Sequence, residues 1–593
     1  MVITHQLFFF FSFIFICVHT QSILNISNYE YPHPNEFPNN IFTVAILTTN
    51  DIHGVYFPIN GNLQNGETFT QSGAEYLGKY INILRNEWKD QFLWLDAGDQ
   101  FQGGLESKIS NGSIMTDFLN VMGLNASTIG NHEFDYGQDF LRTRMENANY
   151  KYIVANLKDD YNATEFLPNQ IEVQIFTIGN VRIGVIGLTT ITTVEKTSGN
   201  LTGIHFQEYK SIIIKHADIL RNEQKVNAVI ILGHTGLFCL NDGDAKMELT
   251  MRDKYTSQND CNTDDEVYKI LQSLPKGTID AFIGGHKHGV SHHWIFDTPV
   301  VTNDKNGIYA SVLYLHFDVN NNYALLKDKI QIESPLPICE KVFENTKRCD
   351  LPKDESTAGK LVNYSFHNVQ IEKEEMLKNI TETYWEEYQK YLQEILTYTQ
   401  DIFEQTGESE QALGNLFCDF FRRITGAQVS ILNYGDFRTT WYPGNISAAT
   451  LFAMSPFDNI IVSFDILGKD LRKMLYQAQN AECSFYPTSG LKQVGVLKPK
   501  KKIISVKLYD GKHEEEIQDD KVYKIATNDF LVPHNPNKLG GDDFAQITKW
   551  LKRTNIKQHG ELRDQIKEFL KMIDELKAND FYDPLHPRLR LKD

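Results

Sequence analysis

Histidine, aspartate and asparagine recur in five short clusters: Asp51-Ile52-His53, Gly98-Asp99, Gly130-Asn131-His132-Glu133-Phe134-Asp135, Gly233-His234 and Gly285-His286-Lys287-His288. Mixed imidazole and carboxylate donors suit borderline divalent ions such as Zn, Mn or Co. One Asp-x-His or Gly-His says almost nothing, because a lone histidine at a strand end is more often a hydrogen-bonded structural residue. Gly-Asn-His-Glu is more specific, and Gly-His-x-His behind an apolar run more so. All five in one order within one stretch point to a metal centre. Two ions about 3.5–4 Å apart can share one carboxylate and one water, and Asp99 is the natural shared ligand.

The elements that must position these clusters are legible. Phe42–Leu47, Phe92–Leu95, Val181–Leu188, Ala228–Leu232 and Ala281–Ile283 read as buried strands. Ala74, Leu77, Ile81, Leu84 and Trp88 repeat at helical spacing between the first two. Strands alternating with helices predict an α/β layered domain, whose ligands gather at the carboxyl ends of strands. Residues 335–365, with Pro335, Pro337 and Pro352, read as an irregular connector, and Ile371 to Thr399 as one long helix. A second unit is expected over 401–577. Its elements are a helix over Leu413–Ile424 ended by Gly426, strands Val429–Leu432, Ile503–Leu508 and Val522–Ala526, and a closing helix Glu561 to Lys577.

A chain of 593 residues needs more than one core. Its net charge of −18 argues against a protein that coats a nucleic-acid polymer, which needs a basic face. It says nothing against a small anionic ligand, since bound ions override the global field locally. Leu7 to Val18 is a short apolar run that reads as the core of a signal peptide cleaved near residue 22. The polar stretch from Phe581 to Asp593 lacks the hydrophobic tail of a GPI signal. A soluble, secreted product with no stable membrane anchor is expected. Eight Asn-x-Ser/Thr sites, at Asn25, Asn111, Asn125, Asn162, Asn200, Asn363, Asn379 and Asn445, add N-glycosylation to that expectation. Of the seven cysteines, Cys17 falls in the leader. Cys239–Cys261 and Cys339–Cys349 are the favoured local disulfides; Cys418 and Cys483 are a third pair or two buried thiols.

With these motifs in this order, the sequence resembles the metallophosphoesterase superfamily and, more narrowly, the 5′-nucleotidase/UDP-sugar hydrolase family, from Phe42 to the last helix. The resemblance implies a four-layer α/β metallophosphoesterase sandwich (42–335), a connector and linking helix (336–400), and a smaller α/β substrate-binding domain (401–577) behind a signal peptide (1–22). By resemblance, Asp51, His53, Asp99 and His288 hold one divalent ion and Asp99, Asn131, His234 and His286 the other. A hydroxide bridging the ions would attack phosphorus. His132, oriented by Asp135, would stabilise the transition state or leaving oxygen. Many nucleotidases of the family carry Gln or Asn where this chain has His288.

In the second unit, Asn433-Tyr434-Gly435-Asp436-Phe437-Arg438 taken by spacing alone is a turn with a surface arginine. The family has Asn-Gly-Gly-x-x-Arg here, so Asn433 and Arg438 match its phosphate contacts while Tyr434 and Asp436 depart from its glycines. Pro456-Phe457, Asn528-Asp529-Phe530 and Gly540-Gly541-Asp542 resemble two base-stacking rings and a ribose-binding carboxylate. Core packing is the ordinary fate of such phenylalanines. Residues Thr406 to Glu410 are partly acidic where animal relatives carry a phosphate-binding arginine. The implied reaction is hydrolysis of nucleoside 5′-monophosphates. A nucleoside diphosphate, UDP-sugar or 2′,3′-cyclic nucleotide in the same site, or nucleotide binding without turnover, are the alternatives; base preference, native metal and oligomeric state stay open.

Overall fold

The computed structural model describes residues 37–63, 67–160, 166–197, 201–239, 248–251, 261–350, 358–405, 410–479, 486–496, 502–532 and 553–592. The leader, Cys483 and Asp542 lie outside the described residues.

Two sheets pack face to face in the N-terminal half. In the first, β1 (Ile41–Thr49), β2 (Phe92–Asp96) and β3 (Ala126–Ser127) run parallel as neighbours, and the antiparallel strand Tyr309–Asp318 flanks β1 on its other side. In the second, β4 (Val181–Thr189), β5 (Ala228–His234) and β6 (Ala281–Ile283) are parallel neighbours. Side chains alternate across each strand. Val44 and Ile46 of β1 therefore meet Val185 of β4 and Ile230 of β5 in the core between the sheets. Ala45 and Leu47 face outward onto α1 (Ala74–Trp88), whose Leu77, Ile81, Leu84 and Trp88 form its buried stripe. On the far side, Ile186, Val229 and Ile231 pack on α2 (Tyr209–Asp218) and α3 (Glu266–Ser273). Helices, sheet, sheet, helices: this is the expected four-layer α/β arrangement.

The segment read as an irregular connector is part of this half. Gln331–Pro337 is a strand of the first sheet, Lys341–Phe343 pairs with Leu361–Asn363, and Cys339–Cys349 staples the hairpin. Leu336, Ile338, Val342, Tyr364 and Ile371 are buried in the first core, which the prolines alone did not reveal. The Cys239–Cys261 disulfide also forms, and Cys418 is buried.

The long helix expected over 371–399 is shorter. α4 spans Lys378–Gln393, and Ile395–Thr399 is a strand paired with Gly444–Ser447. Ile395, Thr397 and Thr399 are β-branched, favour a strand and find a sheet partner, which ends the helical stretch. α4 has no fully buried residue, but Tyr384 and Tyr388 pack on the first core and Tyr391 on the second, so it joins the two bodies.

In the C-terminal half, α5 (Ala412–Thr425) ends at Gly426, which caps it with φ 63° in the left-handed region glycine favours. The main sheet places β7 (Val429–Ile431) beside β9 (Val522–Asn528), followed by β8 (Ile460–Leu467) and the edge strand Thr554–Glu561. α6 (Ala448–Met454) covers it with α5. The closing helix runs only Leu562–Leu570, because Glu575–Leu576 pairs with Tyr398–Thr399. Among the described residues no helix is long and apolar enough to cross a membrane.

Candidate active site

All five clusters converge at the carboxyl ends of the central strands. Asp51 and His53 follow β1, Asp99 follows β2, Asn131 follows β3, His234 ends β5, and His286 and His288 follow β6. The loops are zipped together: Asp51 N donates to Gly98 O at 2.8 Å and His53 N to Asp99 O at 2.9 Å. Gly98 must be glycine, since its φ is 88° and a Cβ would lie 2.7 Å from Gly130 N. Five candidate ligands hold positive φ: Asp51 50°, His53 52°, Asp99 59°, His286 76° and His288 50°. Such backbone costs about 1–3 kcal/mol per residue and collects at sites where geometry serves function.

The donor atoms face inward. Asp51 Oδ2 accepts from Asn50 Nδ2 at 2.6 Å and His286 N at 2.8 Å, which leaves Oδ1 buried with no hydrogen-bond donor. Asp99 Oδ1 accepts from His132 N at 2.9 Å, and its Oδ2 is likewise buried without a donor. His53 Nδ1 donates to Gln102 O at 2.8 Å and His234 Nδ1 to Ala97 O at 2.7 Å, so in their neutral forms both present the Nε2 lone pair to the centre. His53 Nε2 lies 3.0 Å from His288 Nε2, and His288 Nε2 lies 3.3 Å from Asp51 Oδ1. Asp51, His53, Asp99 and His288 thus gather four ligand atoms within 4.8 Å of one another. On the other side, His234 Nε2 lies 3.1 Å from both Asp99 Oδ2 and Asn131 Oδ1, and the His286 ring is 5.2 Å from the His234 ring. Asn131 Nδ2 donates to Lys196 O at 3.2 Å, which turns its carbonyl oxygen inward.

Electrostatics ask for positive charge at this point. Burial keeps His53, His286 and His288 well below the ordinary imidazole range, hence neutral and able to ligate. Burial pushes Asp99 up, but the facing His234 and His132 outweigh it and hold the carboxyl well below its usual range. Burial opposes charge on His234, yet Asp99 raises it to about 10. Converging lone pairs and orphaned carboxylate oxygens are what a divalent cation satisfies, so the residues fit the expected metals.

His132 stands beside the cluster, with Nδ1 2.6 Å from Asp135 Oδ2; Thr197 Oγ1 donates to the other Asp135 oxygen at 2.8 Å. Burial would lower His132, but Asp135 and Asp99 raise it. Two organisers were missed in the sequence. Glu133 accepts from the backbone N–H of Asp99 at 2.8 Å and of Gln100 and Gly130 at 2.5 Å, fastening two ligand loops; burial pushes it up to about 8. Its place in Gly-Asn-His-Glu was the available signal. Asp436, noted only as a departure, accepts from Asn459 Nδ2 at 2.9 Å and from Asn528 Nδ2. It ties together the loops that carry Arg438, Phe457 and Phe530.

Those loops close over the metal half. Asp99, Asn131, His132, His286 and His288 share one cavity of about 250 Å³ with Asn433, Arg438, Phe457 and Phe530. Arg438 Nη2 donates to His53 Nε2 at 3.2 Å, and the Phe457 ring lies 5.9 Å from the His132 ring and 5.5 Å from the Arg438 guanidinium. Phe457 is 9% exposed and Phe530 half-buried. Residues 406–409 lie outside the described residues, and Glu410 turns its carboxylate to Leu589 N at 2.7 Å.

Residues 44–290 match the calcineurin-like phosphoesterase family and residues 394–540 the 5′-nucleotidase C-terminal domain. The chain belongs to the 5′-nucleotidase family. It is 22% identical over 582 residues to a 5′-nucleotidase-related protein of Glossina morsitans morsitans, covering 91% of this chain and 94% of that one. It is 23% identical over 547 residues to a 5′-nucleotidase of Diplobatis ommata, covering 85% and 84% respectively. The fold matches a 5′-nucleotidase precursor from Thermus thermophilus with TM-score 0.72 at 20% identity, over 93% of this chain and all of that one. Family membership makes the chain a hydrolase that uses divalent metal.

Proposed function

We propose that this hydrolase cleaves nucleoside 5′-monophosphates to nucleoside and phosphate. The observation that carries the reading is the single cavity lined by the metal-ligating cluster on one wall and by Arg438, Phe457 and Phe530 on the other.

In this reading Asp51, His53, Asp99 and His288 hold one ion and Asp99, Asn131, His234 and His286 a second. Bound there, the ions supply Lewis-acid polarisation of the phosphoryl group and acidify water. The chain's own groups do the rest. Arg438 and Asn433 orient the phosphate. His132, its Nδ1 engaged by Asp135, presents Nε2 to the cavity and donates a proton or hydrogen bond to the leaving oxygen. Phe457 and Phe530 hold the base between them, and Asp542 takes the ribose hydroxyls.

The protein is also read as a secretory-pathway product, N-glycosylated on some of its sequons. The apolar leader and the disulfides Cys239–Cys261 and Cys339–Cys349 support an oxidising compartment. The deciding experiment is phosphate release by purified protein in Mn or Zn from a panel of AMP, ADP, a UDP-sugar, a 2′,3′-cyclic nucleotide and p-nitrophenyl phosphate. Preference for the monophosphate supports the reading; preference for another member, or no turnover, replaces it.

A further inference from the structure

A ring can select a base only if the loop that carries it is held in place, and charges outside the cavity hold this one. Asp458, next in the chain after Phe457, divides its carboxylate between the two halves of the molecule. Oδ2 accepts from Lys108 Nζ, on the short helix Leu105–Ile109 of the metal half, and Oδ1 accepts from Arg563 Nη2, near the start of the helix Leu562–Leu570. Arg563 reaches further along the same loop: Nη1 donates to Phe457 O at 2.6 Å and Ser455 O at 3.3 Å, and Nη2 to Glu561 Oε1 at 2.5 Å. Its guanidinium lies 4.6 Å from the centre of the Phe452 ring. The Lys108 ammonium in turn sits 4.4 Å from the centre of the Tyr136 ring, and Tyr136 follows Asp135, the partner of His132. A chain of contacts therefore runs from the loop that orients His132 to the loop that presents Phe457. Beside it Leu105 packs on Ala449 and Phe452, an apolar seal across the same boundary.

We propose that Lys108, Asp458 and Arg563 are positioning residues for base recognition: the Lys108–Asp458 bridge locks the Phe457 loop onto the metal half, and Arg563 fixes the loop's main chain. The inference rests on the nucleotidase reading above. None of the three lines the catalytic cavity, so an ester without a base does not depend on them. The bridge is partly open to solvent, with side-chain exposures of 35% for Lys108 and 43% for Asp458, so salt screens it.

The test is kcat/KM for AMP and for p-nitrophenyl phosphate, at low and high salt, in the wild type, Lys108→Met, Lys108→Arg and Arg563→Met. Lys108→Met should lower kcat/KM for AMP by about two- to fivefold at low salt, through KM, the scale of a solvent-exposed ion pair. The base-free ester should be unchanged. Added salt should bring wild type and Lys108→Met together on AMP, and Lys108→Arg, which keeps the charge facing Asp458, should retain most of the wild-type value. Arg563→Met, which also frees two carbonyls, should lose about tenfold on AMP. Equal losses on both substrates, or a Lys108→Met that matches wild type on AMP at low salt, would overturn the positioning role. Lys108→Met changes a surface group and keeps the outcome readable if Arg563→Met does not fold. Wild-type metal-loaded protein that fails to cleave AMP overturns the nucleotidase reading instead, so the two failures are separable.

Discussion

Arg438 donates a hydrogen bond to His53 Nε2 at 3.2 Å although 385 positions separate them in the chain. One belongs to the phosphate-matching turn of the C-terminal half, the other to the ligand cluster of the N-terminal half. The contact brings the guanidinium to the edge of the metal-ligating cluster, where the proposed reading puts the phosphoryl group in its place.

Asp99 is expected to be indispensable. Among the described residues it is the one carboxylate that faces both His53, at 3.9 Å, and His234, at 3.1 Å. Asp99→Asn keeps the shape and removes the charge that two cations would share. Phosphate release should fall to near background, bound metal measured by elemental analysis should drop, and chelator-treated wild type should behave alike until Mn or Zn is restored. Near-normal turnover in the variant would refute the shared-ligand role.

His132 should act on the leaving group without holding metal. Its Nδ1 is committed to Asp135 at 2.6 Å, so only one nitrogen remains for chemistry. His132→Gln should lower kcat by about 10²–10³, the loss for one transition-state donor, with metal content intact. Asp135→Asn should cost less, because the imidazole stays in place but loses its orienting charge. A metal-depleted His132→Gln would assign the residue to the cluster instead.

The metal half was legible because its chemistry falls at strand ends, where both a short continuous apolar run and a motif mark the spot; β6 and its Gly-His-x-His are an example. Helix limits were not legible where tertiary pairing decided them. Ile395–Thr399 is β-branched and aromatic and favours a strand, but no Gly or Pro separates it from the helical stretch before it, and its pairing with Gly444–Ser447 sets the limit. Glu133 shows in the sequence only by its place in Gly-Asn-His-Glu, because its work is to accept three backbone N–H groups from neighbouring loops. Asp436 looked like a departure from a glycine pattern, whereas its carboxylate organises three loops. A sequence shows residue types at a site more readily than the hydrogen bonds that hold loops together.

Phe457 and Phe530 should favour an ester that carries a base over one that does not. Both line the catalytic cavity, but Phe530 also packs on the C-terminal core. Stacking is worth roughly 1–3 kcal/mol per base. Phe457→Ala should therefore lower kcat/KM for AMP by about ten- to a hundredfold and leave p-nitrophenyl phosphate nearly untouched. Phe530→Ala should show the same contrast with some loss of melting temperature. Equal losses on the two esters would make both rings core residues and remove the clamp.

A pH-dependent contribution to stability lies away from the metals, at His367. His367 is buried between two carboxylates, its Nδ1 2.7 Å from Glu87 Oε2 and its Nε2 3.3 Å from Glu333 Oε1. Glu87 belongs to α1 and Glu333 to the strand Gln331–Pro337, so the imidazole ties the outer helix layer to the first sheet. Burial by itself would lower its pKa, but the hydrogen bonds and charges of Glu333 and Glu87 outweigh burial and raise it. A histidine whose folded pKa lies above its unfolded value stabilises the native state fully below the unfolded value of about 6.5. That contribution fades as pH rises from there through the raised value. Hydrogen bonds to charged groups are worth about 1.5–3 kcal/mol, so His367→Gln should destabilise the protein by about that much at pH 6. By pH 9 the difference between variant and wild type should shrink markedly. Urea unfolding of both proteins at the two pH values checks this. A difference that stays constant or grows with pH would mean that His367 is held neutral and serves as a packing residue.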